Sequence, residues 1–148
     1  MSRELALRAL YQIDVAGVSP EDALEGVSDR QRYADETLSF AAELVVGATG
    51  REARIDAVIR KYARGWSLDR MAHIDRNILR LSMYELLYLP DIPPSVSVDE
   101  AVELAKKLST DDSPGFVNGV LGQVMLVTPQ IRAAAAAVRD NAGLPEGT

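Results

Sequence analysis

The segment from Asp75 to Leu89 constrains the fold most. Ile78, Leu79, Leu81, Met83, Leu86 and Leu87 place apolar side chains on most sides of a helix. A helix apolar nearly all round has no face to give to water, so it belongs at the centre of a bundle. Pro90, Pro93 and Pro94 end it, because proline offers no N–H to a continuing helix. The rest of the chain must then supply helices to surround it.

Strand patterning is almost missing, and apolar residues recur at helical spacing. A first helix is predicted over Ser2–Ala16, ending near Gly17. Ser19-Pro20-Glu21-Asp22 reads as a cap, a proline in the first turn and two acids, opening a short helix to about Gly26. Residues 27–34 are polar and turn-like. Asp35 starts a helix closing at Gly47, and Gly50 separates it from one carrying Ile55, Val58, Ile59 and Tyr62. Gly65-Trp66-Ser67 then breaks the pattern, with Ser67 capping a short turn from Leu68 to Met71. Ser97 with Glu100 has capping-box spacing ahead of a helix through Ala101, Val102, Ala105 and Leu108. Pro114 starts another helix as far as Met125, Pro129 a last alanine-rich one, and the tail from about Asn141 is expected to fray. The expectation is an all-α bundle of about seven helices in two small subdomains, 1–66 and 67–148, hinged at Trp66.

Several function classes drop out. The chain has no Cys, so disulfides, thiolate metal sites and Cys nucleophiles are excluded. His73 is the only histidine, which removes imidazole metal clusters and Ser-His-Asp chemistry. No apolar run approaches the ~20 residues of a membrane span, and the start lacks a signal-peptide pattern. Cofactor, metal and membrane are therefore not expected, and the cytoplasm is. A net charge of −6 argues against indiscriminate polyanion binding. Yet Arg51, Arg54, Arg60, Lys61, Arg64, Arg70, Arg76 and Arg80 cluster within residues 51–80 against four acids. That band reads either as an electrostatic footprint or as solvated helix faces. Arg76 and Arg80 sit one turn apart, with Glu85 near enough in spacing to help neutralise them.

The segment Asp99–Val120 carries the most chemistry. A polar turn between two helices displays Asp111, Asp112 and Ser113 beside Gly115, Phe116 and Asn118. An aromatic and acids at one helix start can grip flat rings with edge donors, as unpaired RNA bases are gripped. The same residues also fit a core phenylalanine and an N-cap aspartate. On the first helix, Leu7, Tyr11 and Val15 form a second apolar stripe beside Ala6, Ala9, Leu10 and Ile13. Such a helix either lies deep in the bundle or faces a partner, and the residues alone favour the core.

The motifs ALRALYQ (Ala6–Gln12), RGWSLDR (Arg64–Arg70), IDRNILRLSMYELL (Ile74–Leu87) and the run Asp91–Leu121 together resemble the NusB family of bacterial transcription antitermination factors. The resemblance implies a non-catalytic, all-α protein of two helical subdomains. Family members pair with NusE, a small-subunit ribosomal protein. The pair binds single-stranded boxA RNA of ribosomal RNA leaders within the RNA polymerase antitermination complex. By the resemblance, Asp112 and Phe116 contact RNA, while Tyr11 and Asp75 face NusE. Asp75 also suits a helix start, where an acid meets the dipole. Family members usually carry an arginine-rich run before the first helix. Here only Arg3 and Arg8 match it, so they are the candidate phosphate contacts, and RNA binding without NusE is expected to be weak. Asn118 is expected to bond backbone near the turn, and Trp66 to pack between subdomains. Two further readings are an RNA-binding-type domain like that of the RsmB ribosomal RNA cytosine methyltransferases, and a homodimeric scaffold without an RNA role. The first lacks a cysteine nucleophile and a cofactor loop.

Overall fold

A computed structural model describes the backbone of residues 1–147, and the side chains of all residues except Gln130 and 134–148. Among the described residues there are seven α-helices, one 3-10 turn and no strand. The helices are α1 (Ser2–Ala16), α2 (Pro20–Val27), α3 (Asp35–Gly50), α4 (Glu52–Tyr62), α5 (His73–Tyr88), α6 (Pro94–Leu108) and α7 (Ser113–Gly147). The 3-10 turn, Leu68–Arg70, joins α4 to α5.

α5 is the central helix its composition predicts. Ile78, Leu79, Leu81, Met83 and Leu86 are completely buried. It packs against α1, α3, α4, α6 and α7. One apolar core therefore runs across the expected hinge, from Leu7 and Leu44 to Val117 and Leu121. No described helix is long and apolar enough to cross a membrane.

Local signals act as expected at several ends. Ser19 Oγ accepts from the Asp22 N–H at 3.1 Å and starts α2. Gly65 holds a left-handed φ of 81°, which lets the chain leave α4 and present Trp66 at the surface.

Other ends differ. α3 runs past Gly47 to Gly50, because Gly47 answers a packing need. A Cβ there would lie within 2.1 Å of the Tyr84 ring. The capping box at Ser97 and Glu100 is replaced by a helix that already begins at Pro94. Ser97 is thus in the second turn, where its hydroxyl donates to Glu85 Oε1 at 3.0 Å. Ser67 caps with its backbone carbonyl, which accepts from the Arg70 and Met71 N–H groups. Pro129 starts no new helix, since α7 passes through it and continues to Gly147, including the tail expected to fray. A proline removes one donor and crowds one carbonyl, a local loss that the turns on either side outlast.

Candidate nucleic-acid interface

The turn between α6 and α7 is built on Asp75. This aspartate lies in the first turn of α5 and is only 9% exposed. Ser109 Oγ donates to its Oδ1 at 2.6 Å and Ser113 Oγ to its Oδ2 at 2.9 Å. The Thr110 hydroxyl donates to Ser113 Oγ at 2.9 Å, and Ser109 Oγ lies 2.9 Å from the same oxygen. A buried carboxylate satisfied this way pins the turn to α5. The resemblance places Asp75 facing NusE. Its carboxylate is engaged by Ser109 and Ser113, and it borders the same cleft as Asp112 and Phe116, whose turn it braces.

The Phe116 N–H donates to the Asp112 carbonyl at 3.2 Å and closes the first turn of α7. The helix start is thus satisfied by the Asp112 backbone. Among the described residues no hydrogen bond engages the Asp112 carboxylate, and this residue is exposed. The N-cap reading of its side chain gives way to a free acceptor at the surface. Phe116 is half-buried, neither a sealed core residue nor a loose one.

Beside it stands Trp66, which sequence reasoning missed as a site residue. Its ring centroid is 4.9 Å from that of Phe116, with 55° between the planes. Its contact with Phe116 bridges residues of the two expected subdomains, yet the indole stays 61% exposed. The signal was present in its setting: a sole tryptophan between Gly65 and Ser67 has no helix face to pack from. Trp66, Arg70, Asp75, Thr110, Asp112 and Phe116 line one cleft of about 380 Å³. Asn118 points elsewhere, exposed over a shallow groove with Asp99 and Lys106. The backbone bonds expected of it are not found among the described residues.

A second cleft, of about 470 Å³, is lined by Arg8, Tyr11, Val27, Tyr33, Ile74 and Leu108. Tyr11 is half-buried and meets the His73 ring edge-on at 6.3 Å. Ile74 and Leu108 border this cleft while Asp75 and Thr110 border the first. The two clefts therefore sit side by side around the start of α5. Arg8 is exposed, held loosely by Glu4 at 3.3 Å. Glu4 is kept below the usual carboxylate range, chiefly by the bond it accepts from Lys107 Nζ at 2.9 Å.

Arg3 is not brought to either cleft. Its Nε and Nη2 grip the Glu85 carboxylate at 2.8–3.1 Å, and Glu85 is 1% exposed. The guanidinium also lies over the Phe40 ring, 5.7 Å from its centroid. The basic band thins in the same way. Arg76 makes a two-pronged pair with Asp14 at 2.7–3.0 Å, and Arg80 pairs with Asp56 at 2.9 Å and Glu52 at 3.2 Å. Glu85, expected as their neutraliser, serves Arg3 instead. Arg54, Arg60, Lys61, Arg64 and Arg70 remain exposed, and of these Arg70 lines the Phe116 cleft. Among the described residues no cluster of His, Asp and Glu could hold a metal ion.

Comparison with known proteins bears on the family and the fold. The model of the NusB family matches residues 1–126. The chain is similar to T. maritima NusB, with 37% identity and a TM-score of 0.79 over 84% of this chain and 87% of that one. It is similar to a chain of the antitermination factors NusB and NusE in complex with double-stranded RNA, at 30% identity and TM-score 0.78, covering 85% of this chain and 94% of that one. NusB from Aquifex aeolicus gives 29% identity and TM-score 0.72, over 90% and 88% of the two chains.

Proposed function

The chain belongs to the NusB family, and on that premise we propose that it is a non-catalytic transcription antitermination factor of the cytoplasm. It pairs with NusE, and the pair holds single-stranded boxA-type RNA of ribosomal RNA leaders within the RNA polymerase antitermination complex. The observation that carries this reading is the free Asp112 carboxylate beside the Phe116 ring, on a turn braced by Asp75. Phe116 offers a face for a base, and Asp112 accepts from an exocyclic amino group. Arg70, in the same cleft, and Arg8, exposed and held only loosely by Glu4, are the cations offered to phosphate. Arg3 leaves that group, because its guanidinium is committed to buried Glu85.

The partner contact centres on Tyr11, whose cleft adjoins the RNA cleft. Asp75 contributes to it through the turn that it holds. A 30% identical chain in a complex of NusB and NusE with double-stranded RNA supports NusE and RNA as partner classes. Tyr11→Ala is expected to weaken the heterodimer with NusE while the thermal melt stays near that of the parent. Calorimetry giving the parental affinity would remove Tyr11 from the interface.

The test of the RNA site is a titration of one boxA-type RNA and one scrambled RNA, with NusE present and salt fixed. Phe116→Ala should lose ~1–3 kcal/mol of binding, the worth of stacking one base. Asp112→Asn should narrow the gap between the two RNAs and leave the salt dependence unchanged, since it removes an edge acceptor and no phosphate contact. Omitting NusE should weaken binding of every variant, because a chain of charge −6 gains little from electrostatics alone. If both variants bind as the parent does, the RNA site lies elsewhere.

A further inference from the structure

Trp66 is the most exposed aromatic surface in the Phe116 cleft. Burying an indole stabilises a fold more than leaving it in water, and this one stays 61% exposed although Phe116 is 4.9 Å away. The chain holds it there with Gly65 in a left-handed conformation and with the Ser67 carbonyl capping the next turn. Arg70, one turn further on, lines the same cleft. An aromatic face, a second aromatic, a cation and a free carboxylate acceptor thus converge within about 380 Å³.

We propose that Trp66 is a second base-stacking residue, so that the cleft takes two consecutive unpaired nucleotides, one base on Trp66 and the next on Phe116. This rests on the reading of the cleft as an RNA site and adds a selectivity to it. Neighbouring bases in a helix lie nearly parallel. The two rings here are inclined by 55°, so bases seated on both must be splayed. Unpaired strands splay readily, whereas a duplex must first break stacking and pairing. The inclined pair therefore favours single strands by its shape alone. Arg70 is placed to meet the phosphate joining the two nucleotides.

The experiment uses the full chain with NusE and a short unpaired boxA-type oligoribonucleotide, followed by anisotropy of a label on the RNA. Trp66→Ala should weaken binding by about 5- to 150-fold, the loss of one stacked base. Trp66→Phe should keep most of the affinity, because any aromatic face stacks. Trp66 is the chain's only tryptophan, so its emission, taken as parent minus Trp66→Phe, should quench in step with the anisotropy. The same RNA annealed to its complement should bind weakly and be indifferent to Trp66→Ala.

RNA binding without any change in Trp66 emission overturns the proposal, and that reading needs no variant to fold. Parental affinity in Trp66→Ala beside a loss in Phe116→Ala also overturns it. Trp66 would then be a cover on Phe116, and the RNA site would stand. A loss of NusE binding by Trp66→Ala in the absence of RNA would overturn it by assigning the indole to the protein interface. Parental binding by both Phe116→Ala and Asp112→Asn sinks the underlying site and this extension together.

Discussion

Replacing Arg3 by methionine is expected to lower stability by about 3–5 kcal/mol, the usual consequence of removing one partner from a buried ion pair. Glu85 lies in the last turn of the central helix at 1% exposure. Its carboxylate has two supports, the Arg3 fork and the Ser97 hydroxyl. A hydroxyl can bond the carboxylate but cannot neutralise it. Without Arg3 the charge is stranded among Leu86, Leu87 and their neighbours. Arg3→Lys should fall between parent and Arg3→Met, since an ammonium restores charge without the two parallel N–H bonds. Arg3→Met combined with Glu85→Met should recover most of the loss, because an apolar pair of similar volume has no charge to desolvate. Urea unfolding followed by circular dichroism reads all three. A parental midpoint for Arg3→Met would show that the pair is not formed in solution. It would also return Arg3 to the candidate phosphate contacts, whose loss costs RNA affinity and leaves stability alone.

Arg3 also illustrates what a sequence conceals. The helices were legible because their signals are local. The α5 apolar surround, the Ser19 cap and the α1 stripe each lie within a few residues. Ion-pair partners are not local. Glu85 is five residues from Arg80 in sequence, yet its partner is Arg3, 82 residues away. Arg80 reaches back to Asp56, 24 residues earlier. Spacing along one helix shows which charges are near each other. It does not show which charge a neighbouring helix brings closer. Within the basic band the partners of Arg76 and Arg80 were missed for this reason, since these two neutralise acids of α1 and α4 while the rest stay exposed. The capping box failed differently: Ser97 and Glu100 have the right spacing, but Pro94, three residues earlier, is itself a good first helical residue and started α6 sooner.

The candidate site divides along the same line. Asp112 and Phe116 were legible because one turn carries both. Asp75 was singled out by resemblance, but its role as a brace needed Ser109 and Ser113 from across the bundle. Trp66 joins Phe116 from 50 positions upstream. A lone aromatic in a Gly-Ser setting reads as a hinge filler until the fold shows what it lies against.

Asp14 should be the second residue whose loss is severe. Its carboxylate, near the end of α1, accepts from Arg76 Nε at 3.0 Å and Nη2 at 2.7 Å, and from Asn77 Nδ2 at 2.9 Å. Arg80 Nη1 stands 3.6 Å away. Asp14→Ala leaves Arg76 at 8% exposure facing Arg80 without the shared anion, and should lower stability by about 3–5 kcal/mol. Asp14→Asn keeps the shape and one acceptor oxygen, so its loss should be smaller. The pH dependence separates charge from packing. Burial pushes the Asp14 carboxyl up, but the bonds from Arg76 and Asn77 and the charges of Arg76 and Arg80 outweigh it and hold it below the usual aspartate range. A carboxyl depressed on folding stabilises fully above its unfolded value of about 3.9, and that stabilisation is lost as pH falls through the lower folded value. The gap between parent and Asp14→Asn should therefore be constant at neutral and mildly acid pH and shrink below about pH 4. Glu4, depressed through Lys107, leaves some acid sensitivity in both proteins. A gap that persists unchanged to the lowest pH at which the parent folds would mean that Asp14 acts through its shape, and that Arg76 takes its neutralising charge from another group.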